Sequence, residues 1–144
     1  LANTRANSSN VNKHILLSDL ELIQYSNTTI YQKSGYFFLS PSVQNNHWWF
    51  DLRKVNIDKF NRNIEQGFLL VRLLDKFLIC KLVNFIDKMI SDDIFAKTKN
   101  NCIHWKFNIV YRNSKYIAIN QKDKKKYLLR KVSVMRLKKL VGIG

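Results

Sequence analysis

The chain has 144 residues, carries 25 Lys+Arg against 10 Asp+Glu for a formal charge of +15, and is 46% hydrophobic. An apolar fraction this high, with only four Gly and one Pro, excludes a disordered basic tail and fits a single folded domain. No apolar run reaches the roughly 18 residues that span a bilayer, because the richest stretch, residues 67–90, is broken by Arg72, Asp75, Lys76, Lys81 and Asp87.

Residues 1–15 are rich in Asn and Ser, lack the apolar segment of a secretory signal, and read as a flexible leader to a domain over residues 16–144. A chain that opens on Leu1 rather than Met reads as a processed product or as one domain of a longer polypeptide. Cys80 and Cys102 lie far apart and form no Cys-x-x-Cys, so neither a disulfide framework nor a zinc ribbon is expected, and a reducing cytoplasm fits.

Ser18 and Glu21 have the spacing of a capping box, which predicts a short helix running to Tyr25. Residues 28–39, β-branched and aromatic, predict a strand with a break near Gly35 that stops at Pro41, since proline cannot donate to a ladder. A polar loop over 40–46 leads to a strand over 47–53, and Asn56 reads as the N-cap of a helix over 57–63. Two apolar strands, 68–74 and 77–82, flank a tight turn at Asp75-Lys76, and a helix over 83–90 follows. Strands over 104–111 and 115–121 flank a better turn at Arg112-Asn113-Ser114. A basic loop, 122–126, a last strand, 127–132, and a helix capped by Ser133 and stopped before Gly142 complete the chain.

Two of these strands repeat one pattern. His47-Trp48-Trp49-Phe50-Asp51-Leu52 and His104-Trp105-Lys106-Phe107-Asn108-Ile109 begin 57 residues apart. Strand alternation puts Trp48, Phe50 and Leu52 on one face and His47, Trp49, Asp51 and Arg53 on the other, and it sorts the second copy in the same way. Two related halves about a pseudo-twofold are expected. Two copies are too few for a solenoid.

Charge is concentrated late in the chain: residues 94–144 hold 14 basic side chains against Asp123 alone, an excess of +13, whereas residues 1–93 are nearly neutral at +2. Such an excess repels itself and is relieved by a bound polyanion, so nucleic acid is the leading partner. Gln44, Asn45 and Asn46 offer amides that suit adenine, Arg53 and Arg112 suit guanine, and Asn113 lies in the turn beside Arg112. Lys54, Lys106, Lys115, Lys122, Lys124 and Lys125 suit phosphates. Trp49 either stacks on an unpaired base or lies under a capping helix.

Catalysis finds less support. A metal-dependent nuclease needs converging carboxylates, yet Asp92 and Asp93 lie in a polar connection and Asp123 is the sole later acid. Cys102, His104 and His47 lack a fourth ligand and the spacing of a closed tetrahedral site, so neither metal nor cofactor is expected.

A small basic domain of short strands, with helices capping an incomplete barrel, resembles the DNA-binding pseudobarrel fold of plant B3 domains and of the B3-like recognition or effector domains of restriction endonucleases. The resemblance covers residues 31–132, and the stretch Gly35-Tyr36-Phe37-Phe38-Leu39-Ser40 with the strand over 47–53 is similar to the first hairpin of the prokaryotic modules. It implies a mainly β fold, an open seven-stranded pseudobarrel with two pseudo-twofold halves and short capping helices. It also implies that two arms grip the major groove of double-stranded DNA. One is the loop 40–46, and the other is the segment 100–104 or the hairpin 112–115. The expected role is sequence-specific recognition within a restriction–modification system, with a nuclease domain in the same or a partner chain. An RNA-binding, ribosome-associated protein is the alternative, and a small metal-dependent nuclease the third.

Overall fold

Strand alternation dominates the computed structural model, which describes residues 10–43, 46–97 and 102–143. The strands are β1 (Ile23–Gln24), β2 (Ile30–Lys33), β3 (Tyr36–Leu39), β4 (Trp49–Arg53), β5 (Gln66–Leu73), β6 (Lys76–Lys81), β7 (Ala96–Lys97), β8 (Ile103–Arg112), β9 (Lys115–Asn120) and β10 (Lys126–Val132). The helices are α1 (residues 10–14, continued with π geometry over Ile15–Asp19), α2 (Lys54–Ile57), α3 (Leu82–Met89) and α4 (Val134–Leu140). No helix among the described residues is long and apolar enough to cross a membrane.

The fold is mainly β, with one open sheet in the order β1-β2-β3-β5-β6-β10-β9-β8-β4 and β7 beside β8. Only β3 and β5 run parallel among these neighbours. Ten strands replace the expected seven for two reasons. The segment 28–39 folds back on itself at Ser34-Gly35, where Gly35 takes φ +87°, and β1 and β7 are two-residue strands too short to leave a pattern.

The two repeat strands, β4 and β8, pair with each other. Phe50 stands opposite Phe107, the same position of the two copies, with Leu52 opposite Trp105. The amide of Ile109 donates to the carbonyl of Trp48 at 2.9 Å, and a twofold rotation relates this pair to Leu52–Trp105. A local dyad therefore passes between Phe50 and Phe107, whose rings stack at 5.2 Å. The copies diverge at their ends. Trp48 takes φ +58° and is half-buried ahead of β4, whereas Trp105 is buried inside β8 and donates its indole N–H to the Ser91 carbonyl at 2.9 Å. The strand position expected of Trp48, on the face of Phe50 and Leu52, is thus replaced by a half-buried turn conformation.

Two cores result, one on each face of the sheet. Inside the curl lie Phe37, Leu39, Phe50, Leu69, Trp105 and Phe107, closed off by Phe85 and Met89 of α3 and Ile57 of α2. Outside, Tyr31, Phe38, Leu70 and Phe77 of β2, β3, β5 and β6 are covered by Leu16 and Leu20 of α1 and Leu137 and Val141 of α4. Strand β5 is buried on both faces, which explains its near-continuous apolar run.

Helix starts depart most from the sequence reading. Ser18 lies at the end of α1 instead of capping a new helix, and Glu21 takes φ +54°, which breaks the proposed capping box. The helix starts inside the segment read as leader, because Leu16 and Leu20, four apart, bury one face on the sheet. Helix α2 starts at Lys54, before Asn56, whereas Ser133 caps α4 as expected by accepting from the Arg136 amide at 3.1 Å.

Gly67 is required by packing: a Cβ there would stand 2.5 Å from the Phe60 ring, itself 5.2 Å from Phe37, and 3.1 Å from Leu82 Cβ. Gly67→Ala is expected to cost about 1–3 kcal/mol by overpacking, read as a lower urea midpoint at constant slope.

Candidate nucleic-acid interface

Helices cover the outer face of the β2-β3-β5-β6 half, but no described helix covers the outer face of β4, β8, β9 and the first half of β10. Alternation sets what that face displays. Cross-strand pairs Trp49–Asn108, Asp51–Lys106 and Arg53–His104 lie between β4 and β8, and Asn108–Ile119, Val110–Ile117 and Arg112–Lys115 between β8 and β9. The result is a basic ribbon around a stripe of half-buried aliphatic side chains.

Trp49 is on this face, 36% exposed, with its ring 6.0 Å from His47 and Lys106 Nζ 5.9 Å from its centroid. Of its two sequence readings, the one under a capping helix does not hold. His104 is buried, with Nδ1 3.4 Å from Asp51 Oδ2, and so braces the two strands. Among the described residues no group of three or more His, Cys, Asp or Glu converges on a metal position.

The remaining candidates divide between two ends of the ribbon. At one end, Arg112 and Lys115 flank the β8–β9 turn, where Asn113 (φ +52°) and Ser114 (φ +62°) form a two-residue hairpin of the kind that matches strand twist. Asn46 is exposed just ahead of β4 at this same end, because the register carries the chain before Trp49 toward Tyr111. Gln44 and Asn45 lie outside the described residues, as do residues 100 and 101 of the segment 100–104.

At the other end are Arg53, Lys54 and the β9–β10 turn with Lys122, Lys124 and Lys125. Two of these are tied to carboxylates: Lys54 Nζ lies 2.7 Å from Asp58, which raises its pKa, and Lys125 Nζ lies 3.9 Å from Asp123. Asp123 also accepts from the Lys125 amide at 3.0 Å, a turn-forming role for the acid weighed above as a metal ligand. The six residues of β9 separate the two ends by about 17 Å at the usual strand rise.

Sequence reasoning missed three features. Asn120, buried at the end of β9, donates to the Met89 carbonyl at 3.1 Å and accepts from the Lys122 amide at 2.8 Å, which fixes the basic turn against α3. The outward aliphatics Val110, Ile117 and Leu128 went unremarked, as did Arg130 beside them, and Lys126, read as the end of the basic loop, opens β10, although the alternation Lys126-x-Leu128-x-Arg130 is visible in the chain. Compared with protein-family models, curated proteins and solved structures, the chain matches none.

Proposed function

We propose that the chain is a sequence-specific double-stranded DNA-binding domain, acting as the target-recognition or effector module of a restriction-type endonuclease. In this reading the scaffold is a B3-like pseudobarrel and cleavage belongs to a domain elsewhere in the same or a partner chain. The carrying observation is the uncovered outer face of β4, β8 and β9. Arg53, Lys106, Arg112, Lys115, Lys122 and Lys124 belong to it or its two ends, and none of them has an ion-pair partner among the described residues.

A duplex suits this arrangement better than a single strand. The tip of the β8–β9 hairpin, residues 110–115, runs beyond the last β4 and β10 pairs as a two-stranded ribbon of a width that suits the roughly 12 Å major groove, and about 17 Å between basic ends spans about five base pairs. The loop ending at Asn46 and the hairpin Arg112–Lys115 lie at the same end of the sheet, which suits two arms on one groove.

The test is selection from a random duplex pool, followed by anisotropy titration against the selected duplex, random duplex, and single strands of either sugar. Preference for one duplex sequence supports the reading; preference for structured RNA favours the ribosome-associated alternative. Arg112→Ala and Arg53→Ala are each expected to cost about 1–3 kcal/mol on the selected duplex and much less on random duplex. Lys124→Ala should weaken both alike. Equal losses throughout would make the arginines phosphate contacts.

A further inference from the structure

Strand β10 changes partner midway. Its residues 126–129 pair with β9, and Arg130 to Val132 pair with β6. Continued by two residues, the β6–β10 register would set Leu128 opposite Lys81, but the ladder stops at the Arg130–Ile79 pair as β6 runs into α3. The gap is a cleft of about 620 Å³, within the range of about 300–1,000 Å³ usual for small-molecule sites.

Four cations line it: Lys81 at the end of β6, Lys88 on α3, and Lys126 and Arg130 on the outer side of β10. None of the four belongs to an ion pair among the described residues, and no carboxylate lines the cleft. The Cys80 thiol and the Tyr127 phenol add no negative charge, since both ordinarily hold their protons at neutral pH and burial pushes both further up. Like charges gathered in a concavity repel one another and focus an attractive field on an anion.

The floor has different chemistry. Phe68, Ile79 and Leu128 give apolar contact, while Tyr127 and the Asn84 amide supply hydrogen-bonding groups. Phosphate alone would use the cations and leave this floor empty. A duplex backbone is a convex ridge that cannot fill a concavity of this size.

We propose that this cleft binds an organic polyphosphate of the nucleoside di- or triphosphate class, with its phosphates among Lys81, Lys88, Lys126 and Arg130 and its flat base against Phe68, Ile79 and Leu128. The cleft adjoins the open sheet face along Lys126 and Leu128 of β10 and uses none of the cations assigned above to the duplex, and its test does not depend on duplex binding.

The experiment is a fluorescence titration of N-methylanthraniloyl-ATP into the full chain at near-physiological salt. Saturable binding is expected, displaced by unlabelled ATP at lower concentration than by inorganic triphosphate, because only ATP meets the floor. Removing two exposed cations in Lys88→Gln/Arg130→Gln should weaken it by about tenfold or more. Lys138→Gln/Lys139→Gln, which removes the same charge from α4, should leave it within about twofold. Absence of saturable binding overturns the proposal, as do equal losses in the two double variants or triphosphate competing as well as ATP. Full displacement by a random duplex also overturns it, by making the cleft part of a duplex track.

Discussion

Phe107→Ala is expected to lower the unfolding free energy by about 3–5 kcal/mol, the largest stability change anticipated for any single substitution considered in this chain. Phe107 is fully buried at the local dyad, stacked on Phe50 at 5.2 Å and met edge-on by Phe85 of α3 at 5.1 Å. Its removal leaves a cavity where two strands and a helix meet, and backbone pairing across β4 and β8 limits how far the walls can close. Because Phe50 and Phe107 share one contact, Phe50→Ala and the double variant should be strongly non-additive in a mutant cycle. Trp49→Ala, beside Phe50 on β4 but facing outward, should change stability by less than about 1 kcal/mol. Urea denaturation decides between these outcomes: a small loss for Phe107→Ala, or equal losses for Phe107 and Trp49, would refute the inward and outward assignment.

That contrast also marks how much of the fold was legible in the chain. In β4 and β8 one face is buried and the other open, so period-two alternation sorted Phe50 and Leu52 from Trp49 and Asp51 without a structure. The Asn113-Ser114 turn and the Ser133 cap were legible because short-range chemistry alone dictates them. Helix α1 was not, since Asn12, Leu16 and Leu20 are held by burial under the sheet, a long-range effect that overrides weak local propensity. The same competition made Ser18 and Glu21 misleading: the capping-box spacing is present, but the chain at Glu21 turns to enter β1.

The site was legible in composition and not in arrangement. The +13 excess of residues 94–144 pointed to a polyanion, but a count of lysines cannot distinguish a basic face left open from one covered by a helix. Nor does the repeat spacing of 57 residues say that the two copies pair directly, which brings Trp49 and Lys106 onto one surface. Arg53 and Arg112, grouped by residue type, prove to lie at opposite ends of the ribbon.

Duplex affinity should fall about 200- to 1,000-fold between 50 and 200 mM salt, with a log–log slope of about −4 to −5. The slope counts phosphates neutralised, each contributing about 0.9, and the structure supplies the cations to count. Lys54 and Lys125 already lean on Asp58 and Asp123, so the unpaired set is Arg53, Lys106, Arg112, Lys115, Lys122 and Lys124. Engagement of 4 to 6 phosphates by that set gives the stated slope, roughly. Lys106→Gln, at the middle of the face, should lower the magnitude of the slope by about 1, and Lys138→Gln on α4, which covers the β2-β3-β5-β6 half of the sheet, should leave it unchanged. Anisotropy titrations at four salt concentrations on one random duplex make the measurement. A slope near zero would remove the polyanion reading altogether, whereas a steep slope that Lys138→Gln reduces as much as Lys106→Gln would move the interface off the open face and onto the diffuse charge of the C-terminal third.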